Sequence, residues 1–335
     1  MHALQLDAIN QPALLREVPT PTPGPGEILV RLHAAALNHR DVFIQQGKYA
    51  GIKLPCTLGS DGAGEVAAHG PDVPAEAPAV GARVLLNPGL HWGDNPRVQA
   101  RDFVVLGMPD PGTFAEYIVL PARYVLPLPA HLSFEQGAAL PRAGLTAYRA
   151  AFARAQVQPG ERVLVTGIGG GVALLAAQFC AAHGAEVWVT SSSDKKLARA
   201  QALGARGGIS YHTENWVKVL TQQAGGLFDV IIDSAGGAAF HPLLDAAAPG
   251  GRIVFFGGTH GSIPDLPPAK IFWKQLSLLG STMGSEQDFE QMLALVTEKG
   301  LVPVVDEVFP LAEGEAALRR LDAGTQFGKV VLKIV

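Results

Sequence analysis

Two cysteines, Cys56 and Cys180, are all that the 335 residues contain. Each stands alone among apolar neighbours, which excludes a disulfide framework and a paired Cys-x-x-Cys metal knuckle. No charge of one sign dominates either: 26 basic and 30 acidic residues leave a net charge of −4. That balance offers no basic stripe to nucleic acid or to an anionic membrane surface. No apolar run reaches the roughly 18 residues of a membrane helix. The start, Met1-His2-Ala3-Leu4, lacks the basic region and apolar segment of a secretory signal. A soluble, unprocessed chain in a reducing, cytoplasmic compartment is expected, with a small molecule rather than nucleic acid or membrane as its partner.

What is present suits a globular protein of two domains: 48% of residues are hydrophobic and 17% charged, and one core rarely serves more than 200 residues. Glycine (39) and proline (25) are frequent but scattered between apolar runs without a triplet period, which excludes collagen and a low-complexity tail. From residue 1 to about 125 the text is strand-like. Short apolar runs at 27–32, 64–68, 83–86 and 115–120 are cut by Pro and Gly, and this rhythm predicts a twisted, barrel-like β region. Residues 87–111 cluster Pro, Gly, Asp and Asn and read as a loop or lobe.

Beyond Ser133, a candidate helix cap, the apolar spacing becomes helical through 137–154 and then alternates strand with helix. Strands are predicted at 162–166, 186–190, 230–232, 252–256 and 275–279, which implies a doubly wound parallel sheet with helices on both faces. The tail, with helices over 287–299 and 312–321 and a closing strand over 329–335, is expected to rejoin the first domain.

A buried-strand run, Val163-Leu164-Val165-Thr166, feeds into Gly167-Ile168-Gly169-Gly170-Gly171-Val172-Ala173 and then an apolar helical stretch. Strand, glycine turn and helix in this order make a pyrophosphate cradle, because the backbone must turn sharply and the first amides of the helix point at the anion. The last glycine of the usual G-x-G-x-x-G pattern comes one step early, with Val172 at its place, so the close helix–strand contact is in question. At the end of the second strand an acid would bind a free ribose 2′-hydroxyl. Here stands neutral Ser191, followed by Ser192, Ser193, Asp194, Lys195 and Lys196. Hydroxyls and lysines at a helix start favour a phosphorylated cofactor, NADPH (NADP), with Ser191, Ser192 and Lys195 as its ligands. The same residues also fit a plain Ser-rich helix cap. Cys56, His39, Asp41, Asp61, His69 and His91 pair at no metal-ligand spacing, so no metal is expected.

The chain resembles the medium-chain dehydrogenase/reductases, and among them the zinc-free quinone oxidoreductase (zeta-crystallin-like) branch. The resemblance spans nearly the whole chain. It rests on Ala36-Leu37-Asn38-His39-Arg40-Asp41, Leu58-Gly59-Ser60-Asp61-Gly62-Ala63-Gly64, Gly112-Thr113-Phe114-Ala115-Glu116-Tyr117, Ala143-Gly144-Leu145-Thr146-Ala147-Tyr148, the glycine turn, and Gly328-Lys329-Val330-Val331-Leu332. Zinc-dependent members carry Cys, His and Cys where this chain has Asn38, Ser60 and a position near Arg142. The four cysteines of their second, structural zinc lobe would fall within 87–111. None of these ligands is present.

The resemblance implies an α/β chain: a doubly wound parallel-sheet (Rossmann) cofactor domain over 125–282, and a partly β-barrel, GroES-like catalytic domain over 1–124 and 283–335. It implies NADPH-dependent hydride transfer to a quinone or an α,β-unsaturated carbonyl. Without a Lewis acid, ionising a simple alcohol is difficult, whereas a conjugated acceptor needs only hydrogen-bond donors at the developing oxygen anion. Asn38, Asp41 and Tyr49 are the implied catalytic residues. Asp41 equally suits a loop-holding role, and Tyr49 an ordinary packed aromatic. Thr146, Tyr211, Gly236 and Gly257 join Gly167, Gly169, Gly170, Gly171 and Val172 as implied cofactor contacts. A homodimer is expected through the strand at 275–279, which would lie at a sheet edge. The alternatives are a zinc-type alcohol dehydrogenase homologue with an unrecognised metal site and a non-enzymatic cofactor-binding protein.

Overall fold

The computed structural model of the chain describes residues 1–334. It divides into two compact units, 1–142 with the tail from Gly284, and Ala143–Met283. The first unit runs past the expected limit of 124 for a physical reason. The strand Val125–Pro127 pairs antiparallel with Arg83–Leu86, and the helix Phe134–Ala138 packs on the same sheet. Ser133 caps that helix, its hydroxyl accepting from the Gln136 N–H at 3.2 Å.

The first unit is organised around the ten-residue strand Glu27–Ala36. Its alternation buries Ile28, Val30 and Leu32, and at its end Ala34, Ala35 and Ala36 are all buried. One side pairs with Asp61–His69, with register shifts at Leu29/Val30 and Leu32/Ala34 that bend the strand. The other side pairs first with Tyr117–Pro121 and then with Lys329–Lys333. The closing strand therefore brings the end of the chain into the sheet built by its beginning; Val335 lies outside the described residues. Val305–Pro310 adds a parallel strand beyond it. Gly112 shows why the segment before Phe114 needs glycine: a Cβ there would stand 2.3 Å from the carbonyl oxygens of both Leu58 and Gly59.

Within residues 87–111 the chain forms a small ladder of Gly89–Leu90 with Val104–Val105. Aromatic packing fills it: Trp92 is buried with Phe103 edge-on at 5.3 Å, and the Tyr124 hydroxyl accepts from the His91 N–H at 2.8 Å.

The second unit is a wholly parallel sheet in the order Gly207–Ser210, Glu186–Ser191, Arg162–Val165, Phe228–Asp233, Ala247–Phe255, Ser277–Gly280. Its middle strands are apolar at their centres, as burial on both faces requires: Val163, Leu164, Val165, Val230, Ile231 and Ile253 have no exposed surface. Strand order reverses between Arg162–Val165 and Phe228–Asp233, and at such a switch point the carboxyl ends of the strands open a crevice for ligands. The helical text at 137–154 resolves into Phe134–Ala138, Pro141–Tyr148 and a π-helical turn, Arg149–Arg154.

Candidate active site

The glycine turn lies at the carboxyl end of Arg162–Val165. Gly167 has φ of 64° and Gly169 of 141°, values that L side chains avoid. Gly170 precedes the helix Gly171–Ala182, and nothing lies within 4 Å of where its Cβ would be. Having no side chain, Gly170 cannot cap, so the first amides of the helix face an outside acceptor. The geometry fits an anion of pyrophosphate type. Val172 is half-buried, and the residue that packs closely is Ala173, 4% exposed.

The second strand locks the turn. Thr190 accepts from Gly167 N–H through its hydroxyl (3.2 Å) and from Ile168 N–H through its carbonyl (2.7 Å). The Ser191 hydroxyl is buried, donating to Ile168 O at 3.4 Å and accepting from Ser193 N–H at 3.2 Å. Ser193 caps the helix Asp194–Ala202. Of the expected anion ligands, Ser192 and Lys195 are exposed, but Lys196 is the lysine at the turn: its Nζ lies 3.1 Å from the position a Cβ would take on Gly169. Sequence reasoning chose the neighbouring lysine because helix phase decides which of two adjacent residues faces a turn. Tyr211, 41% exposed, follows the Gly207–Ser210 strand, and its N–H donates to Ser191 O at 3.0 Å. Thr146 is buried in the helix Pro141–Tyr148.

Asp233, not singled out from sequence, organises the far side of the crevice. Its carboxylate accepts from the Thr166 hydroxyl (2.6 Å), Ala235 N–H (3.1 Å) and Gly236 N–H (2.8 Å). An Asp followed by Ser-Ala-Gly-Gly at a strand end is the available signal, since Asp readily bonds backbone two or three residues on. Gly257 passes so near that a Cβ would meet Ser234 O at 2.5 Å.

In the first unit the sheet register makes a second polar centre. Ala36 pairs with Asp61 on one side and Val331 on the other, so Asn38, Asp61 and Lys329 converge. Lys329 Nζ donates to Asn38 Oδ1 at 2.7 Å and to Asp61 Oδ2 at 3.0 Å, and Asn38 Nδ2 donates to the same Asp61 oxygen at 2.9 Å. Asp61 Oδ1 accepts from Arg142 N–H at 2.7 Å. Burial draws Lys329 below the ordinary ammonium range, while Asp61 opposes that shift.

Asp41 caps the helix His39–Gln45 by accepting from Asn38 N–H at 2.8 Å, and burial pushes its carboxyl above the usual range. It has no exposed surface, which suits the loop-holding role. Arg40 binds the carbonyls of Leu106 (2.9 Å), Val105 (3.2 Å) and Met108 (2.6 Å), with the Tyr49 ring 4.8 Å from its guanidinium. Tyr49 is half-buried on this cation and an apolar cluster. Exposed His39 is held below the ordinary imidazole range by partial enclosure and then by the positive charges of Lys329 and Arg142.

These residues do not fit zinc. Asn38 is bonded to Lys329 and Asp61, the Ser60 hydroxyl donates to Leu106 O at 2.8 Å, and a guanidinium at 142 has no lone pair for a cation. Among the described residues no three His, Cys, Asp or Glu side chains gather as a metal group. Cys180 is buried and its thiol is pushed up to about 12 by that burial, which leaves it inert.

Residues 24–130 match the alcohol dehydrogenase GroES-like domain, and 171–298 match a zinc-binding dehydrogenase domain. The zinc-type alcohol dehydrogenase-like protein YogA of Leptosphaeria maculans is 37% identical, over 97% of this chain and 96% of its own. A quinone oxidoreductase of Pseudomonas aeruginosa is 30% identical over 98% of both. Among solved structures, that of an NAD-dependent alcohol dehydrogenase superposes with a TM-score of 0.94 at 39% identity, covering 100% of each chain.

Proposed function

The chain belongs to the medium-chain dehydrogenase/reductase superfamily of oxidoreductases, and from that premise we propose that it is an NADPH-dependent reductase passing hydride to a quinone or an α,β-unsaturated carbonyl without a metal. The observation that carries this reading is the buried group of Asn38 and Lys329 on Asp61, with Arg142 beside it, at positions where a zinc site needs thiolate and imidazole. A bound dihydronicotinamide supplies the hydride. The turn at Gly167, Gly169, Gly170 and Gly171 is suited to its pyrophosphate. Neutral Ser191 leaves room for a 2′-phosphate, and Lys196 supplies the counter-charge. Thr146, Tyr211, Gly236 and Gly257 belong to the same cofactor site in this reading. Asn38 holds its amide in one orientation, and Asp41 keeps the loop that carries it in place.

The test is a steady-state assay with NADPH and NADH against quinones, enones and simple alcohols, alongside metal analysis of untagged protein. Turnover of conjugated acceptors with NADPH by metal-free protein is expected; alcohol oxidation that requires stoichiometric zinc overturns the proposal. A zinc alcohol dehydrogenase is the second reading, favoured only by the names of relatives such as YogA.

A second copy of the chain is the partner we propose besides the small-molecule substrate, with no role for nucleic acid. Ser277–Gly280 ends its sheet, and the preceding helix, Pro268–Lys274, leaves Phe272 59% and Trp273 81% exposed. Among the described residues no helix is long and apolar enough to cross a membrane.

A further inference from the structure

Thr166, Thr190 and Ser191 stand around the glycine turn of the second unit, and all three hydroxyls are engaged within the chain. Thr166 donates to Asp233 at 2.6 Å, Thr190 accepts from Gly167 N–H at 3.2 Å, and Ser191 bonds Ile168 O and Ser193 N–H. Ser234 differs from them. It is half-buried, and among the described residues its hydroxyl has no hydrogen-bond partner. Its backbone is nonetheless held on both sides. The carboxylate of Asp233 reaches over it to accept from Ala235 N–H and Gly236 N–H, and the Ser234 carbonyl packs on Gly257, where a Cβ would stand 2.5 Å away. The hydroxyl faces the turn. Ser234 Oγ lies 3.9 Å from the position a Cβ would take on Gly167, and no other atom from outside that segment comes within 4 Å of it. A ligand atom in the space that a side chain at Gly167 would fill is therefore within reach of a preorganised hydroxyl that the chain leaves unused.

We infer that Ser234 is a cofactor ligand, its hydroxyl hydrogen-bonding the ribose of the nicotinamide half. Sheet order carries the assignment to that half. Glu186–Ser191, Arg162–Val165 and Phe228–Asp233 are successive neighbours in the sheet, and a dinucleotide lies across the switch point with one mononucleotide on each side. The ribose that bears the free 2′-hydroxyl or the 2′-phosphate belongs at the end of Glu186–Ser191, and the pyrophosphate at the turn after Arg162–Val165. The remaining half falls on the side of Phe228–Asp233, and Ser234 is the first residue beyond that strand. A ribose hydroxyl both donates and accepts, and so does serine, whereas the carboxylate of Asp233 only accepts and is already occupied. The nicotinamide half is the same in NADH and NADPH. The inference thus rests on the cofactor site of the reading above, but not on its choice of NADPH, its acceptor or its lack of a metal.

The experiment titrates wild type and Ser234→Ala with NADPH and NADH, followed by nicotinamide fluorescence, and adds competition by 2′,5′-ADP and ADP, which carry the adenosine side alone. Ser234→Ala is expected to weaken whichever cofactor wild type binds by about fivefold, the size of one hydrogen bond. Binding of 2′,5′-ADP and ADP should stay within about twofold of wild type. That retained binding, with circular dichroism, also shows that the variant keeps its fold and its glycine turn. An unchanged affinity of Ser234→Ala for the whole cofactor overturns the inference. An equal loss for the adenosine fragments overturns it too, and gives the hydroxyl to the adenosine-side phosphate instead. Wild type that binds neither cofactor overturns it together with the cofactor site. Failure of the reductase reading alone looks different: NADH is preferred, or no conjugated acceptor turns over, while the fivefold loss in Ser234→Ala persists.

Discussion

The two polar centres are made of different material. In the second unit the proposed anion cradle is backbone: Gly167, Gly169 and Gly170 shape the turn before Gly171–Ala182, and Lys196 lies beside Gly169. In the first unit the centre is side chains, with Lys329 bound to Asn38 and Asp61 across separations of 291 and 268 residues. A backbone cradle depends on local conformation and survives the loss of most side chains around it. A buried ionic centre depends on every member, because each charge is tolerable only through its partners.

The largest expected effect breaks the first-unit centre. Lys329→Met leaves the carboxylate of Asp61 buried without its ammonium, and removal of one partner of a buried ion pair costs about 3–5 kcal/mol. Urea unfolding followed by circular dichroism checks it, with Asp61→Asn added to Lys329→Met recovering a good part of the loss. The matching change in the second unit, Lys196→Met, should cost no more than about 0.5 kcal/mol, since Lys196 is only half-buried and sits at a helix start. Equal losses would show that the centres do not differ in the way described.

The same distinction decides what could be read from sequence. The glycine turn is local, seven residues between a β-rich run and an apolar helix, and its strand and helix neighbours were legible with it. So was Ser133, whose cap needs only the next three residues. The Lys329–Asp61 pair left no local trace, because sheet register brings together residues far apart in the chain. Gly207–Ser210 went unseen as a strand since two of its four residues are glycines, a composition that disfavours strands; a Cβ on Gly207 would strike Trp188 at 2.5 Å, so the glycine serves packing. Lys195 and Lys196 are not told apart by the sequence for a finer reason: adjacent helical residues point about 100° apart, and only three-dimensional placement shows which faces the turn.

An intermediate effect sharpens the second-unit half of the comparison. Lys196→Ala is expected to weaken NADPH binding about tenfold, about 1.4 kcal/mol, while NADH binding changes less, read by nicotinamide fluorescence. Lys195→Ala, at an exposed position, should leave NADPH affinity within about twofold. The reverse ranking would return the phosphate contact to Lys195.

The smallest effect concerns acid, where the units should respond with opposite sign. In the second unit Arg252 grips Glu161 with two 2.8 Å bonds, and Gln158 N–H adds a third at 2.9 Å. Burial alone would raise the Glu161 carboxyl, but these donors hold it below the usual range. A depressed folded-state value gives stability that is full above the unfolded value, about 4.3, and is lost as pH falls through the folded one. Asp41 in the first unit is raised by burial, so stability is greatest below its ordinary value and is lost as pH rises through the folded one. Glu161→Gln should therefore cost about 1 kcal/mol at pH 7 and almost nothing near pH 3. Asp41→Asn, which keeps an oxygen to accept from Asn38 N–H, should cost more at acid pH than at neutral pH. Stability measured by urea unfolding from pH 3 to 7 decides it. Parallel slopes for the two variants would mean that the buried carboxyl of the first unit is ionised like its partner-held counterpart, and that the contrast between the two centres does not extend to protonation.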